Sequence, residues 1–257
     1  MKVYKNKNPN KFRIYALFIL QVIFGVFPAV LFVIFAIDNM NIAGSSDPEK
    51  TAATTNYIGA YISAAAIILC GIAYFILGRR YNVLLSGIKG EKSLEKVAKH
   101  HKNDFDIFIN CPVQYKRSRS EIDMLLLGKN GLIIIEVKNH SGVISGNDND
   151  DKWVQYKHYR DGKTTEGEMK NPIKQITRQR DILKSILKAQ GIDVWVECVV
   201  YFSNPLIRLK LSLKNKGSIV CAGEKELNKF LSEYECPKPL SKEDTAKIRG
   251  ILKTLVQ

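Results

Sequence analysis

The chain has 257 residues, 46% of them hydrophobic and 25% charged, and a formal net charge of +14 at pH 7. That length holds one large domain or two small ones, and the charge favours an anionic partner, either nucleic acid or an anionic lipid surface. The five cysteines, Cys70, Cys111, Cys198, Cys221 and Cys236, are odd in number and form no C-x-x-C pair, which argues against a disulfide framework or a zinc site and fits a reducing cytoplasm.

The apolar residues are unevenly spread. From Ile14 to Ile37 there are 24 residues without a charge, and from Tyr57 to Leu77 another 21. Each run exceeds the roughly 18–20 residues that cross a bilayer core as a helix. The first is also too long for the apolar part of a cleaved signal peptide. Lys2, Lys5, Lys7, Lys11 and Arg13 precede the first run, and Arg79, Arg80, Lys89 and Lys92 follow the second. The loop between carries Asp38, Asp47 and Glu49 against Lys50 alone. Basic residues stay inside, so the expectation is a multi-pass protein of the cell membrane with both termini cytoplasmic. Residues 1–80 are then a membrane anchor, in contact with the lipid bilayer through residues 14–77, with transmembrane helices at about 14–37 and 57–77. Residues 81–257 are a cytoplasmic domain large enough for a sizeable core. A buried helical hairpin of a soluble protein is the competing reading of the two runs.

In the second part, Leu94, Val97 and Ala98 stand at helical spacing, predicting a short helix after Gly90. Residues 105–115 alternate as a strand, with Pro112 marking an edge or a break. Residues 121–138 read as a hairpin with Asn130-Gly131 as its turn signal. Residues 153–160 followed by Asp161-Gly162 predict a further strand and turn. Asn171-Pro172 opens a helix, with Ile173, Ile176, Leu183 and Leu187 on its buried face and Gly191 closing it. Strands at 194–202 and 218–221 and helices at 224–234 and 241–255 complete a mixed α/β domain around one sheet.

The hairpin concentrates charge. A turn at Lys129-Asn130 sets Asp123 opposite Glu136, and a turn at Asn130-Gly131 sets Asp123 opposite Lys138. Either register places Glu121, Asp123, Glu136 and Lys138 on one face. Two carboxylates about 5 Å apart repel unless a cation or proton intervenes, and all-oxygen ligands suit Mg²⁺ or Mn²⁺. Lys138 would stand just beyond such an ion. The alternative is a strand leaving the core, with Glu121 and Lys138 as an ordinary cross-strand pair.

Asp123 followed by Glu136-Val137-Lys138 resembles the core motif of the PD-(D/E)XK nucleases. The ordered combination of Gly90-Glu91, Glu121-Ile122-Asp123, GLIIIEVKNHSG, Trp153, Asn171-Pro172 with Gln175, and VVYFSN resembles the nuclease-related domain (NERD) family within them, over roughly residues 88–205. The resemblance implies a restriction-endonuclease-like mixed sheet flanked by helices, here preceded by two transmembrane helices. It implies a metal held by Asp123, Glu136, the Val137 carbonyl and Glu91, with Lys138 as the catalytic lysine and Gln175 beside the scissile phosphate. The implied activity is hydrolysis of phosphodiester bonds of nucleic acid, with DNA as the expected substrate. A membrane-tethered nucleic-acid-binding module without turnover is the alternative.

Other readings stay open at this point. Glu91 also suits a helix N-terminus, where it meets the dipole, and Gln175 a solvated first turn. Trp153 reads as core or as a base-stacking platform. Lys116, Arg117, Arg119, Lys174 and Arg178 are candidate phosphate contacts or a solvated charged face. The acidic run 147–151 reads as a turn, lacking the glycine and distal Glu of a calcium loop.

Overall fold

The structure, a computed structural model, describes residues 2–6, 8–43, 57–129, 131–159, 161–214, 217 and 219–256. The chain forms two compact units, Pro9–Ser86 and a second comprising Met1–Asn8 together with Gly87–Gln257.

The first unit contains α1 (Pro9–Ala43) and the leading part of α2 (Tyr57–His100). Each helix is long and apolar enough to cross a membrane, with mean hydropathy reaching 2.7 in Asn10–Ile37 and 2.1 in Tyr61–His100. Pro28 lies inside α1 without ending it. At Gly25 a Cβ would come within 3.3 Å of the Tyr74 ring, so a small residue there permits close approach of the two helices. Arg13, Arg79 and Arg80 line one cleft of this unit together with Leu17, Phe75 and Val83. Most of the acidic loop between the apolar runs lies outside the described residues.

In the second unit a six-stranded sheet has the order β1-β2-β3-β4-β8-β10. Its strands are β1 (Val3–Lys5), β2 (Phe105–Tyr115), β3 (Ser118–Gly128), β4 (Gly131–Lys138), β8 (Val196–Phe202) and β10 (Ile219–Ala222). β2, β3 and β4 are antiparallel neighbours, while β1–β2, β4–β8 and β8–β10 pair in parallel. A four-stranded sheet, β7-β6-β5-β9, is made of β5 (Gly142–Asn147), β6 (Lys152–His158), β7 (Thr164–Lys170) and β9 (Ile207–Ser212). The helices are α3 (Pro172–Lys188), α4 (Gly223–Glu233) and α5 (Lys242–Leu255).

The large sheet buries both faces. Ile107, Ile109, Leu126, Ile133 and Ile135 pack with Leu94 and Val97 of α2 and Leu227 of α4. Phe108, Leu125, Leu127 and Ile134 pack with α3, α5 and the small sheet, through Ile176, Leu183, Ile248 and Trp153 among others. Burial on two faces explains the unbroken aliphatic runs of β3 and β4. Trp153 is fully buried, donates to the Asn147 carbonyl at 2.8 Å and stacks on Phe202, so it is a core residue and presents no ring to a base.

Most elements fall where the residues predicted them. One boundary moves. No helix starts at Gly90, because α2 runs unbroken from Tyr57 to His100. A Cβ at Gly90 would meet Asn139, Ser203 and Val137 at 3.1–3.3 Å, so this glycine serves the close approach of α2 to the ends of β4 and β8. Pro112 sits beyond the last β1 partner, Ile109, where β2 has a neighbour on one side only. Asn171 caps α3 through Ile173 N–H, and Gly191 follows its end at φ +75°. The run 147–151 is a turn, with the Asn147 side chain accepting from Asn149 and Asp150 N–H.

Gly142 opens β5 at φ +86°, and a Cβ there would lie 2.2 Å from the Tyr156 carbonyl oxygen. Gly142→Ala is expected to destabilise the second unit by about 1–3 kcal/mol from backbone conformation alone, and further through the clash. Both tryptophans of the chain, Trp153 and Trp195, lie in this unit, so fluorescence-monitored thermal unfolding of the full chain measures the loss.

Candidate active site where two strands part

β3 and β4 pair from Gly128↔Gly131 to Met124↔Ile135. This is the register with Lys129-Asn130 as the connection and Asp123 opposite Glu136; Asn130 itself lies outside the described residues. Backbone pairing stops at Met124. Beyond it β3 stays with β2 and β4 stays with β8, so the two strands form a fork.

Asp123 stands in that fork. The Val137 N–H, left without a strand partner, donates to Asp123 Oδ2 at 2.8 Å, so a side chain continues the ladder where the backbone has left it. In an extended strand the N–H and C=O of one residue point to the same edge, which directs the Val137 carbonyl to the fork too.

The alternation of β3 breaks at the same place. Ile122 and Met124, which a regular strand puts on one face, pack into the two different cores. On β2, Ile109 and Cys111 do likewise. Between them the β2–β3 ladder has a gap at Asn110 and Asp123, and Asn110 has φ +55° and a buried side-chain amide nitrogen without a hydrogen-bond partner among the described residues. The rotation corrects the expectation of four charges on one face. Glu136 and Lys138 face α3, whereas Glu121 is exposed, and it is its carbonyl that accepts from Gln179.

Glu136 is 2% exposed. Its Oε1 accepts from Lys138 Nζ at 2.6 Å and Gln175 Nε2 at 2.7 Å, and its Oε2 from Gln179 Nε2 at 2.7 Å. Lys138 Nζ also donates to Gln175 Oε1 at 3.0 Å. A carboxylate taken from water loses several kcal/mol of solvation, and three donors, one of them the Lys138 ammonium, offset that loss. Gln175 and Gln179 are one turn apart on α3, so both reach the same carboxylate.

Burial drives the Asp123 carboxyl well above the usual carboxylate range, and the Glu136 carboxylate raises it further; the Val137 N–H and Lys138 pull it down only in part, and Glu91 adds to the rise. Glu91, near the end of α2, is also raised by burial, against the hydrogen bond from Asn8. For Glu95 burial is opposed by hydrogen bonds from Lys5 and Lys99, and the carboxyl ends below its usual range. Among the described residues no three His, Cys, Asp or Glu side chains gather into a metal-binding group. The oxygen donors at the fork are therefore Asp123, Glu136 and the Val137 carbonyl.

Lys116, Lys174 and Arg178 line a groove of about 570 Å³ beside α3, together with Tyr115, Asp148 and Asp181. Lys174 is paired with Asp151, and Arg178 donates to the Arg119 carbonyl. Arg117 and Arg119 are exposed on the β2–β3 turn and the start of β3. The sequence reading did not single out Gln179. Its signal was available, because it fills the gap between Ile176 and Leu183 in the apolar stripe of α3, where a polar residue needs a buried partner.

A raised carboxyl contributes stability that is present below the unfolded-state value and is lost as pH rises through the folded-state value. Asp123→Asn, which keeps an acceptor for Val137, is therefore expected to raise the Tm of the metal-free protein at pH 8. The rise is roughly 2–4 °C, the effect of about 1 kcal/mol in a domain of this size, and it shrinks as pH falls. A lower Tm at every pH would contradict this electrostatic account.

No curated protein and no solved structure matches the chain. One family model does, that of the nuclease-related domain, over residues 86–203. That span holds Glu91, Asp123, Glu136, Lys138, Gln175 and Gln179. Residues 86–203 of this chain are therefore similar to the nuclease-related domain family.

Proposed function

We propose that the protein is a membrane-anchored, divalent-metal-dependent nuclease that hydrolyses phosphodiester bonds of nucleic acid, with DNA as its substrate. The observation that carries this reading is the fork itself. Asp123, Glu136 and Lys138 meet there inside a nuclease-related domain, with two glutamines holding the buried carboxylate.

The donor set fits a hard cation. Its donors are all oxygen, and the upward drive on Asp123 means that the two carboxylates hold their charge together best beside a positive ion. Mg²⁺ or Mn²⁺ held by Asp123, Glu136 and the Val137 carbonyl would supply Lewis acidity at the scissile phosphate. The chain supplies the rest. Lys138 places an ammonium where negative charge develops on the phosphate, and Gln175 holds that ammonium at 3.0 Å. Gln175 lies in the first turns of α3, whose N-terminus attracts anions. Lys116, Lys174 and Arg178 line the groove beside α3, and Arg117 and Arg119 are exposed next to Lys116 in the chain, a set of cations that suits a phosphate backbone.

The two long apolar helices support a bilayer anchor at the cell membrane. The segments before and after them, Met1–Asn8 and Gly87–Gln257, belong to one compact unit, which supports an even number of crossings. The arginines gathered at one cleft of the helix pair support a cytoplasmic location for both ends. A second reading, a tethered nucleic-acid-binding module without turnover, draws on one observation: Lys138 already neutralises Glu136 at 2.6 Å, in a site with two carboxylates at the fork.

The test uses the full chain in detergent with fluorescent single- and double-stranded DNA and RNA, in Mg²⁺, Mn²⁺ or EDTA. Cleavage of DNA is expected with either metal and not in EDTA, and Glu136→Gln and Lys138→Ala are each expected to lower the rate by at least about 100-fold. Binding without cleavage by the folded wild type, unchanged in both variants, would select the second reading.

A further inference from the structure

The residues ahead of the first apolar helix are bound to the nuclease-related domain at several successive positions. Val3, Tyr4 and Lys5 add a parallel strand to the edge of the large sheet, against Ile107, Phe108 and Ile109. Lys2 N–H donates to Asp106 Oδ1 at 2.7 Å, on a carboxylate that is 3% exposed and also held by Arg249. The Tyr4 ring stacks on Phe108 with centroids 4.7 Å apart, and Asn6 N–H donates to the Ile109 carbonyl at 3.1 Å. Tertiary pairing of this density makes the arm an ordered strand, against the usual expectation for a terminus.

Two contacts give the arm a bearing on chemistry. The Lys5 ammonium pairs with Glu95, and the Asn8 side-chain amide donates to Glu91 Oε2. Glu91 and Glu95 are one turn apart, so they share a face of α2, and the arm meets both. They are not equivalent. Glu95 also pairs with Lys99 and has two cations for company. Glu91 is half-buried and follows Gly90, where a Cβ would lie 3.3 Å from the Val137 side chain at the fork; in keeping with that placement, its charge adds to the upward drive on the Asp123 carboxyl. The amide occupies one of its two oxygens and leaves the other for a further partner.

We propose that Asn8 is a positioning residue, whose side-chain amide fixes the Glu91 carboxylate beside the fork and thereby strengthens the binding of a divalent cation by Asp123 and Glu136. This rests on the reading of the fork as a cation site. It gives the arm a function beyond closing the sheet edge.

The test measures Mn²⁺ affinity of the detergent-solubilised full chain by the EPR signal of the free ion, with the Tm from tryptophan fluorescence in parallel. Asn8→Ala is expected to bind Mn²⁺ about tenfold more weakly, the lower end of the loss seen when a group that orients a metal ligand is removed, with its Tm in EDTA kept. Asn8→Asp is expected to bind more weakly still, since a carboxylate facing Glu91 repels it. Asn8→Ala added to Glu91→Gln is expected to cause no further loss. Wild-type affinity in both Asn8 variants would overturn the proposal, and so would losses that add in full in the double variant. Absence of Mn²⁺ binding by the wild type would overturn the reading of the fork itself, a distinct result from binding that ignores Asn8.

Discussion

The burial of the Glu136 carboxylate is the constraint on which the rest of the fork depends. At 2% exposure it has almost no water, so its lone pairs need protein donors. Three are supplied, by Lys138 from the same strand and by Gln175 and Gln179 from one face of α3. That requirement places two glutamines on a helix that otherwise buries Ile173, Ile176, Leu183 and Leu187. It also fixes the start of α3, through Asn171 as its cap and Pro172 in its first turn, because a shift of one residue would rotate both amides away.

The second consequence of the fork is electrostatic. Once β3 leaves β4, Asp123 is free of backbone pairing to Glu136, yet the Glu136 carboxylate still raises the cost of ionising Asp123. In a fold selected only for stability, a second buried carboxylate here would be a liability. The proposed cation site gives the arrangement a reason, because the repulsion that would cost the metal-free protein stability is what would attract an ion. The positive φ of Asn110 and its amide nitrogen, unpartnered among the described residues, fit the same reading, since Asn110 shares the gap in the β2–β3 ladder with Asp123.

Much of this was legible in the residues. The long aliphatic runs gave β3 and β4, Asn171-Pro172 gave the start of α3, and the two possible registers of the hairpin included the observed one. What was not legible depends on contacts that local pattern does not encode. β1 is three residues long and exists by pairing with β2, a hundred residues later. β5, β7 and β9 are short and carry glycine or charge, so their alternation is weak. The rotation of β3 at Asp123 is a tertiary effect, and strict period-two reasoning therefore put Glu121 with the other three charges. Gly90 reads as punctuation by composition, yet it sits within a continuous helix because β4 and β8 press against it. Gln179 was legible in principle, as a polar residue in an apolar stripe.

The central claim is that Asp123 and Glu136 form one cation site at the fork. The most direct measurement is a crystal structure of the full chain grown with Mn²⁺, with anomalous scattering collected at the manganese edge. The account predicts one anomalous peak in contact with both carboxylates, and Lys138 Nζ displaced from Glu136 Oε1. A Mn²⁺-containing crystal with no peak at the fork, and with Lys138 still bonded to Glu136, would contradict it.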